Sequence, residues 1–152
     1  MAKVNGFFGI FRFLSNFHEE PNVTIWLDDL GFRNVEAAFQ AAKTLNLEER
    51  LEIFAAESPG QAKKLGRSVT LRDDWNDIKI EVMLGLLMQK FGQAPYLEML
   101  LATGDAELIE ENTWGDTFWG ICNGVGENWL GKLLMAVRNA LQEREKSFHD
   151  QY

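Results

Sequence analysis

Asn34-Val35-Glu36-Ala37-Ala38-Phe39-Gln40-Ala41-Ala42-Lys43-Thr44 reads as a helix with one chemical face, and the class of the fold follows from it. Asn34 carries a short side-chain oxygen that can cap the free N–H groups of a helix start, so a helix is predicted over residues 35–44. The alanines keep it thin, which lets neighbouring segments pack close. Glu36, Gln40 and Lys43 stand at i, i+4 and i+7. At about 100° per residue they fall within roughly 60° of one another and form a single polar ridge. Glu36 and Lys43 are then about 10 Å apart along the axis, too far for a simple ion pair but spaced to grip two sides of one ligand. A solvated surface face is the competing account of the same three residues.

Working outward, more helices announce themselves by their ends. Asn46 with Glu49 three residues on resembles a capping box, followed by Leu47, Leu51 and Phe54 on one stripe. Ser58-Pro59 supplies a cap and a proline for the first helical position, and Gly66 stops that helix. Asp73 or Asp74 opens the next, with Ile78, Val82 and Leu86 on one face, Met83 and Leu87 beside them, and Gly92 at its close. A short helix is expected over residues 95–102. A last one runs from about 128 to 145 and buries Leu130, Leu133, Leu134, Val137 and Leu141 at helical spacing. Strand character is confined to residues 6–17 and 22–33, where Val23, Ile25 and Leu27 alternate with Thr24, Trp26 and Asp28, and to a brief piece at Leu108-Ile109. The expected class is mainly α (α+β), multihelical, with a small N-terminal β element. No repeat or linker-like composition interrupts residues 1–152, so one domain is expected.

A second chemical stretch is Asn112-Thr113-Trp114-Gly115-Asp116-Thr117-Phe118-Trp119-Gly120. It sets one carboxylate between indoles and spaces it with glycines, as a ligand site would. An acid in such a setting can have its pKa tuned for proton transfer. An aromatic turn packed on the core, with Asp116 as turn residue, is the plainer alternative. A third cluster, Gly66-Arg67 and Arg72-Asp73-Asp74-Trp75, precedes a long helix whose N-terminus could help hold an anion. Trp75 serves equally well there as a core anchor.

Composition narrows the classes. The chain has 152 residues, 46% apolar and 25% charged, with a net charge of −8. A protein that coats nucleic-acid backbone needs a basic footprint, which is missing. A small anionic substrate held by local cations such as Arg12, Lys43, Lys63, Lys64, Arg67, Arg72 or Lys79 remains open. One cysteine, Cys122, and two distant histidines, His18 and His149, provide no metal-ligand spacing and no disulfide. No membrane span and no secretory leader are read from the sequence, so a cytoplasmic protein is the expectation.

Several further pieces join these clusters: Leu14-Ser15-Asn16-Phe17, Glu36-x-x-Phe39-Gln40-Ala41-x-Lys43, Leu71-Arg72-x-Asp74-Trp75, Trp114-Gly115-Asp116-x-x-Trp119-Gly120 and Asn128-x-Leu130-Gly131-x-Leu133-Leu134-Met135. In that order and spacing the chain resembles the NADAR family, also called YbiA-like, over nearly its whole length. The resemblance implies a compact helical fold and an N-glycosidase acting on a ribose C1–N bond. Its substrate would be a ribosylamino-pyrimidine phosphate, an early intermediate of riboflavin synthesis, or ADP-ribose joined to guanine, free or in nucleic acid. No cofactor and no metal are implied.

By position, the resemblance assigns Glu36, Lys43 and Asp116 to catalysis. It assigns Asn16, Gln40, Arg67, Trp75, Trp119, Gly120 and Asn128 to substrate binding. It points to Lys43 as a nucleophile that forms a Schiff base with C1 of the opened sugar. That role requires a partly buried amine of lowered pKa. An ionised Glu36 nearby would oppose the lowering, so desolvation must win or Glu36 must be protonated. In the rival scheme Glu36 or Asp116 activates water and Lys43 only binds phosphate. A non-catalytic ADP-ribose or nucleotide reader would need the aromatics and cations but no tuned acid. The ridge of the first helix is expected to turn inward and share one cavity with Asp116.

Overall fold

Side-chain caps begin three successive helices in the computed structural model, which describes residues 2–151. Asn34 Oδ1 accepts from the Ala37 N–H at 2.7 Å, and α1 runs Val35–Ala42. Asn46 Oδ1 accepts from the Glu49 N–H at 3.0 Å to open α2, Leu47–Phe54. Ser58 Oγ accepts from the Gln61 N–H at 3.1 Å and Pro59 takes the first turn of α3, Pro59–Gly66. Each cap satisfies an N–H that the helix itself leaves free. Beyond them lie α4 (Trp75–Phe91), α5 (Tyr96–Leu101) and α6 (Trp129–Asp150). The fold is mainly α with short strands, an α+β arrangement, as its sequence predicts.

The chain gathers into two compact units. One runs from Asn16 to Lys90. Its strands β2 (Ile25–Leu27) and β3 (Leu30–Phe32) form an antiparallel hairpin with Trp26 opposite Gly31. α1 is the centre of this unit: every residue from Val35 to Ala42 is buried, and α2, α3 and the hairpin pack on it. Gln89 on α4 clamps the hairpin, accepting from the Trp26 N–H at 2.7 Å and donating to the Trp26 carbonyl at 2.8 Å.

The other unit takes in the chain up to Ser15 and again from Phe91. β1 (Lys3–Asn5) pairs in parallel with β4 (Glu107–Ile109), and β5 (Glu111–Asn112) pairs in parallel with β6 (Ile121–Cys122). α6 packs on β4 and α5 through Leu130, Leu133, Leu134, Val137 and Leu141, the residues its spacing singles out. Arg138, also buried on α6, donates to Thr103 Oγ1 at 2.9 Å.

Three expectations are corrected. Residues 6–17 form no strand: Gly9–Leu14 is a 3-10 helix, in which neighbours Phe13 and Leu14 are both buried. Adjacent burial suits a tight helix and violates the alternation of a strand, and Gly6 at φ +87° breaks extended backbone just before it. The stripe Leu47, Leu51 and Phe54 of α2 is left outside, 62%, 43% and 47% exposed, while Ile53 enters the core. The last helix continues to Asp150, past the expected end at residue 145.

Candidate active site

The polar ridge of α1 faces the interior of its unit. Glu36 and Gln40 are only 8% and 5% exposed, and Lys43, the C-cap residue, is half-buried. Gln40 Nε2 donates to Glu36 Oε1 at 2.7 Å, one helical turn apart. The Glu36 N–H, one of those a helix start leaves free, donates to the carbonyl of Asn16 at 3.1 Å. Asn16 is itself buried, with Nδ2 directed at the Met83 sulfur at 3.6 Å. Asn16 Oδ1 and Gln40 Oε1 are buried with no hydrogen-bond partner among the described residues. A solvated helix face shows none of these features.

Lys43 has its pKa lowered from the ordinary lysine value. Burial is the largest cause; Glu36 opposes it, and the positive charges of Arg67 and Lys63 add to it. Desolvation therefore outweighs the carboxylate, as an amine nucleophile requires. Arg67 caps the end of α3 and is exposed, and Lys63 lies 5.9 Å from the Phe17 ring centre. Three cations and one acid thus converge on this part of the unit. The Lys43 carbonyl accepts from the Arg72 N–H at 2.8 Å, which ties the ridge to the segment before α4. Arg72 is committed to Asp74 through two hydrogen bonds at 2.6 and 3.1 Å.

Trp75 takes the core-anchor position: it is 6% exposed, with its ring centre 5.0 Å from that of Phe39. It therefore sets the start of α4 against α1. A cavity of about 320 Å³ in the same unit is lined by Phe32, Arg33, Asn34, Ala37 and Phe54 among others. It touches α1 at Ala37, about 100° around the helix from Glu36, so it belongs to a different face from the ridge.

Asp116, Trp119, Gly120 and Asn128 form a second cluster, in the other unit. Asp116 Oδ1 accepts from the N–H groups of Phe118 and Trp119 at 3.1 and 2.9 Å, a turn that its own side chain closes. Trp119 stands edge-on to Phe118 at 4.9 Å. A Cβ on Gly120 would overlap the Glu110 carbonyl and come within 2.7 Å of Asn112 Nδ2, so this glycine permits a close backbone approach. Asn128, at φ 53°, accepts from the Glu110 N–H at 2.9 Å and donates to the Leu108 carbonyl at 3.0 Å, pinning β4 to the start of α6.

Asn112 is the residue that sequence reasoning passes over. Buried, it accepts from the N–H groups of Trp114 and Asp116 and donates to the carbonyls of Asp116 and Ile121. It organises the whole aromatic loop. Its signal in the sequence is faint, a polar residue opening a glycine-rich turn. Among the described residues no group of three or more His, Cys, Asp or Glu side chains could hold a metal ion. No helix of those residues is long and apolar enough to cross a membrane.

The helical α+β scaffold thus buries Glu36 and Gln40 on one helix and leaves Lys43 half-buried at its end, an acid and an amine on one ridge. The family model described as NADAR domain matches residues 6–142, and the chain belongs to that family. The chain is 40% identical over 131 residues to the N-glycosidase YbiA of Escherichia coli strain K12, covering 84% of this chain and 79% of that protein. The NMR structure of E. coli YbiA superposes with a TM-score of 0.82 at 34% identity, covering 95% of this chain and 87% of that one. A riboflavin biosynthesis protein of Vibrio vulnificus is 38% identical over 135 residues. The match takes in 86% of this chain but only 36% of that longer protein.

Proposed function

We propose that this chain is an N-glycosidase, a hydrolase that cleaves a ribose C1–N bond, and that ribosylamino-pyrimidine phosphate is its substrate class. The relatives named N-glycosidase and riboflavin biosynthesis protein support this choice. The observation that carries the chemistry is the half-buried Lys43, its amine lowered in pKa by burial, on one ridge with the buried Glu36. A phosphate-binding lysine gains nothing from losing its charge; a nucleophilic amine does.

In the proposed reaction the glycosidic nitrogen donates into C1 and the ring C1–O bond breaks, Glu36 giving its proton to the ring oxygen, which leaves as a hydroxyl. The free amine of Lys43 adds to C1, and Glu36, now a carboxylate, takes the proton that the Lys43 nitrogen sheds. Glu36 passes that proton to the departing nitrogen, the C1–N bond to the base breaks, and C1 stays bound to Lys43 as a protonated imine. Water then adds to C1, its released proton returns to Glu36, and the aldehyde sugar leaves Lys43 as the free amine. Arg67 and Lys63 meet the phosphate, and Asn16 offers an acceptor to a sugar hydroxyl. Asp116 shapes the aromatic loop of its own unit through Oδ1. Trp119, Gly120 and Asn128 hold that loop in form.

Incubation with a ribosylamino-pyrimidine phosphate, and separately with ADP-ribosylated guanosine, tests the proposal by release of free base. Turnover of the first, abolished in Lys43→Ala and Glu36→Gln, is expected. Turnover of the second alone would move the substrate class to ADP-ribosylated guanine. Tight binding of either without turnover would make the chain a reader.

A further inference from the structure

Gln40 holds two positions in conflict. Its Nε2 is used, donating to Glu36 Oε1 at 2.7 Å, whereas its Oε1 is buried and accepts nothing among the described residues. A buried acceptor left without a donor is unfavourable, so something else must fix the amide. The wall is Gly66, on the last turn of α3. A Cβ built there would overlap Gln40 Oε1 and stand 2.6 Å from Cδ and 2.9 Å from Cβ. The backbone of α3 thus lies directly on the Gln40 side chain, and only a glycine leaves room for it. Turning the amide over would set its oxygen against the Glu36 carboxylate, oxygen to oxygen, which is tolerable only when Glu36 carries a proton.

We infer that Gln40 is a positioning residue: it fixes the Glu36 carboxyl through Oε1 so that Oε2 alone faces the reaction, and Gly66 locks the Gln40 amide in place. This rests on Glu36 being the proton carrier proposed above. It departs from the substrate-binding role that the family resemblance gives to Gln40. Asn16 completes the arrangement from the backbone side, because its carbonyl holds the Glu36 N–H at 3.1 Å. Gly66 is therefore more than a helix stop.

Steady-state kinetics on a ribosylamino-pyrimidine phosphate separate the two roles. Gln40→Met keeps the length of the side chain and removes the donor. It is expected to lower kcat by about 100-fold, the scale of a misplaced reacting group, with KM within about 2-fold of the parent. Gly66→Ala, which pushes the amide away, should lower kcat in the same manner, and the double variant should lose no more than the worse single one. Gln40→Glu sets a second carboxylate beside Glu36, so Glu36 should hold its proton to higher pH. The alkaline fall of kcat should then move to higher pH.

A Gln40→Met protein with raised KM and unchanged kcat overturns the inference, as do losses from Gly66→Ala and Gln40→Met that simply multiply. Circular dichroism checks that each variant folds, and if Gly66→Ala does not, the two Gln40 variants decide. Two further results separate the failures. Wild-type turnover in Glu36→Gln defeats the proton-carrier role and the positioning with it. An inactive Glu36→Gln beside a Gln40→Met of unchanged kcat defeats the positioning alone.

Discussion

Lys43 sits among opposing influences of which burial is the largest. Burial lowers its pKa most, Glu36 pulls it back up, and Arg67 and Lys63 push it down again. The fraction of neutral amine at a given pH is set by that balance, so it can be moved by changing one charge at a time. Arg67→Gln removes a positive neighbour, which lets the Lys43 pKa rise and leaves less free amine near neutrality. The rising limb of kcat against pH should shift to higher pH, and the rate at fixed neutral pH should fall a few-fold, since an exposed charge acts through screening water. A shift to lower pH, or none, would mean that the limb does not report Lys43. The ridge itself was legible because residue type and helical period are both local: Glu36, Gln40 and Lys43 needed only the i, i+4, i+7 count. Gly66 against Gln40 and the Asn16 carbonyl on Glu36 were not, because each joins segments about twenty residues or more apart whose approach no short window records.

Among elements, α2 teaches the sharpest lesson. Its cap, Asn46 to the Glu49 N–H, follows from local chemistry and is found. Which face it buries does not follow, for the period picks out Leu47, Leu51 and Phe54 while the neighbours α1 and α3 take Ile53. A single β-branched residue at 1% exposure outweighs a stripe of three because the packing partners lie on its side. Ile53→Ala should cost about 2–4 kcal/mol in denaturant unfolding, whereas Leu51→Gln should stay within about 1 kcal/mol. Equal losses at the two positions would return the stripe to the core. The parallel pairing of β1 with β4 escaped sequence reading for a related reason: Lys3 meets Glu107 across more than a hundred residues, and a three-residue strand carries too few side chains to show a period. The 3-10 helix at Gly9–Leu14 was missed because its aromatic and aliphatic residues imitate a strand composition.

For the molecule as a whole, stability should carry the mark of one buried lysine. Lys90 is 1% exposed, and burial lowers its pKa from 10.5 to about 7. Below pH 7 folded and unfolded chains both hold the proton, and the folded state keeps that charge buried. Between about 7 and 10.5 only the unfolded chain holds it, so stability rises with pH across that window. Lys90→Met removes this dependence: relative to the parent, the variant should be favoured more at pH 6 than at pH 9, as read from denaturant midpoints. A gap that stays constant between the two pH values would mean that Lys90 titrates outside the window. The net charge of −8 disfavours the approach of long anionic polymers, which fits the proposed small phosphate ester met by Lys63 and Arg67. The most direct measurement is borohydride reduction during turnover of a ribosylamino-pyrimidine phosphate, followed by mass mapping. A sugar phosphate fixed to Lys43, and lost in Lys43→Ala, is the predicted result. No adduct at Lys43, with Lys43→Arg still turning over substrate, would contradict the account.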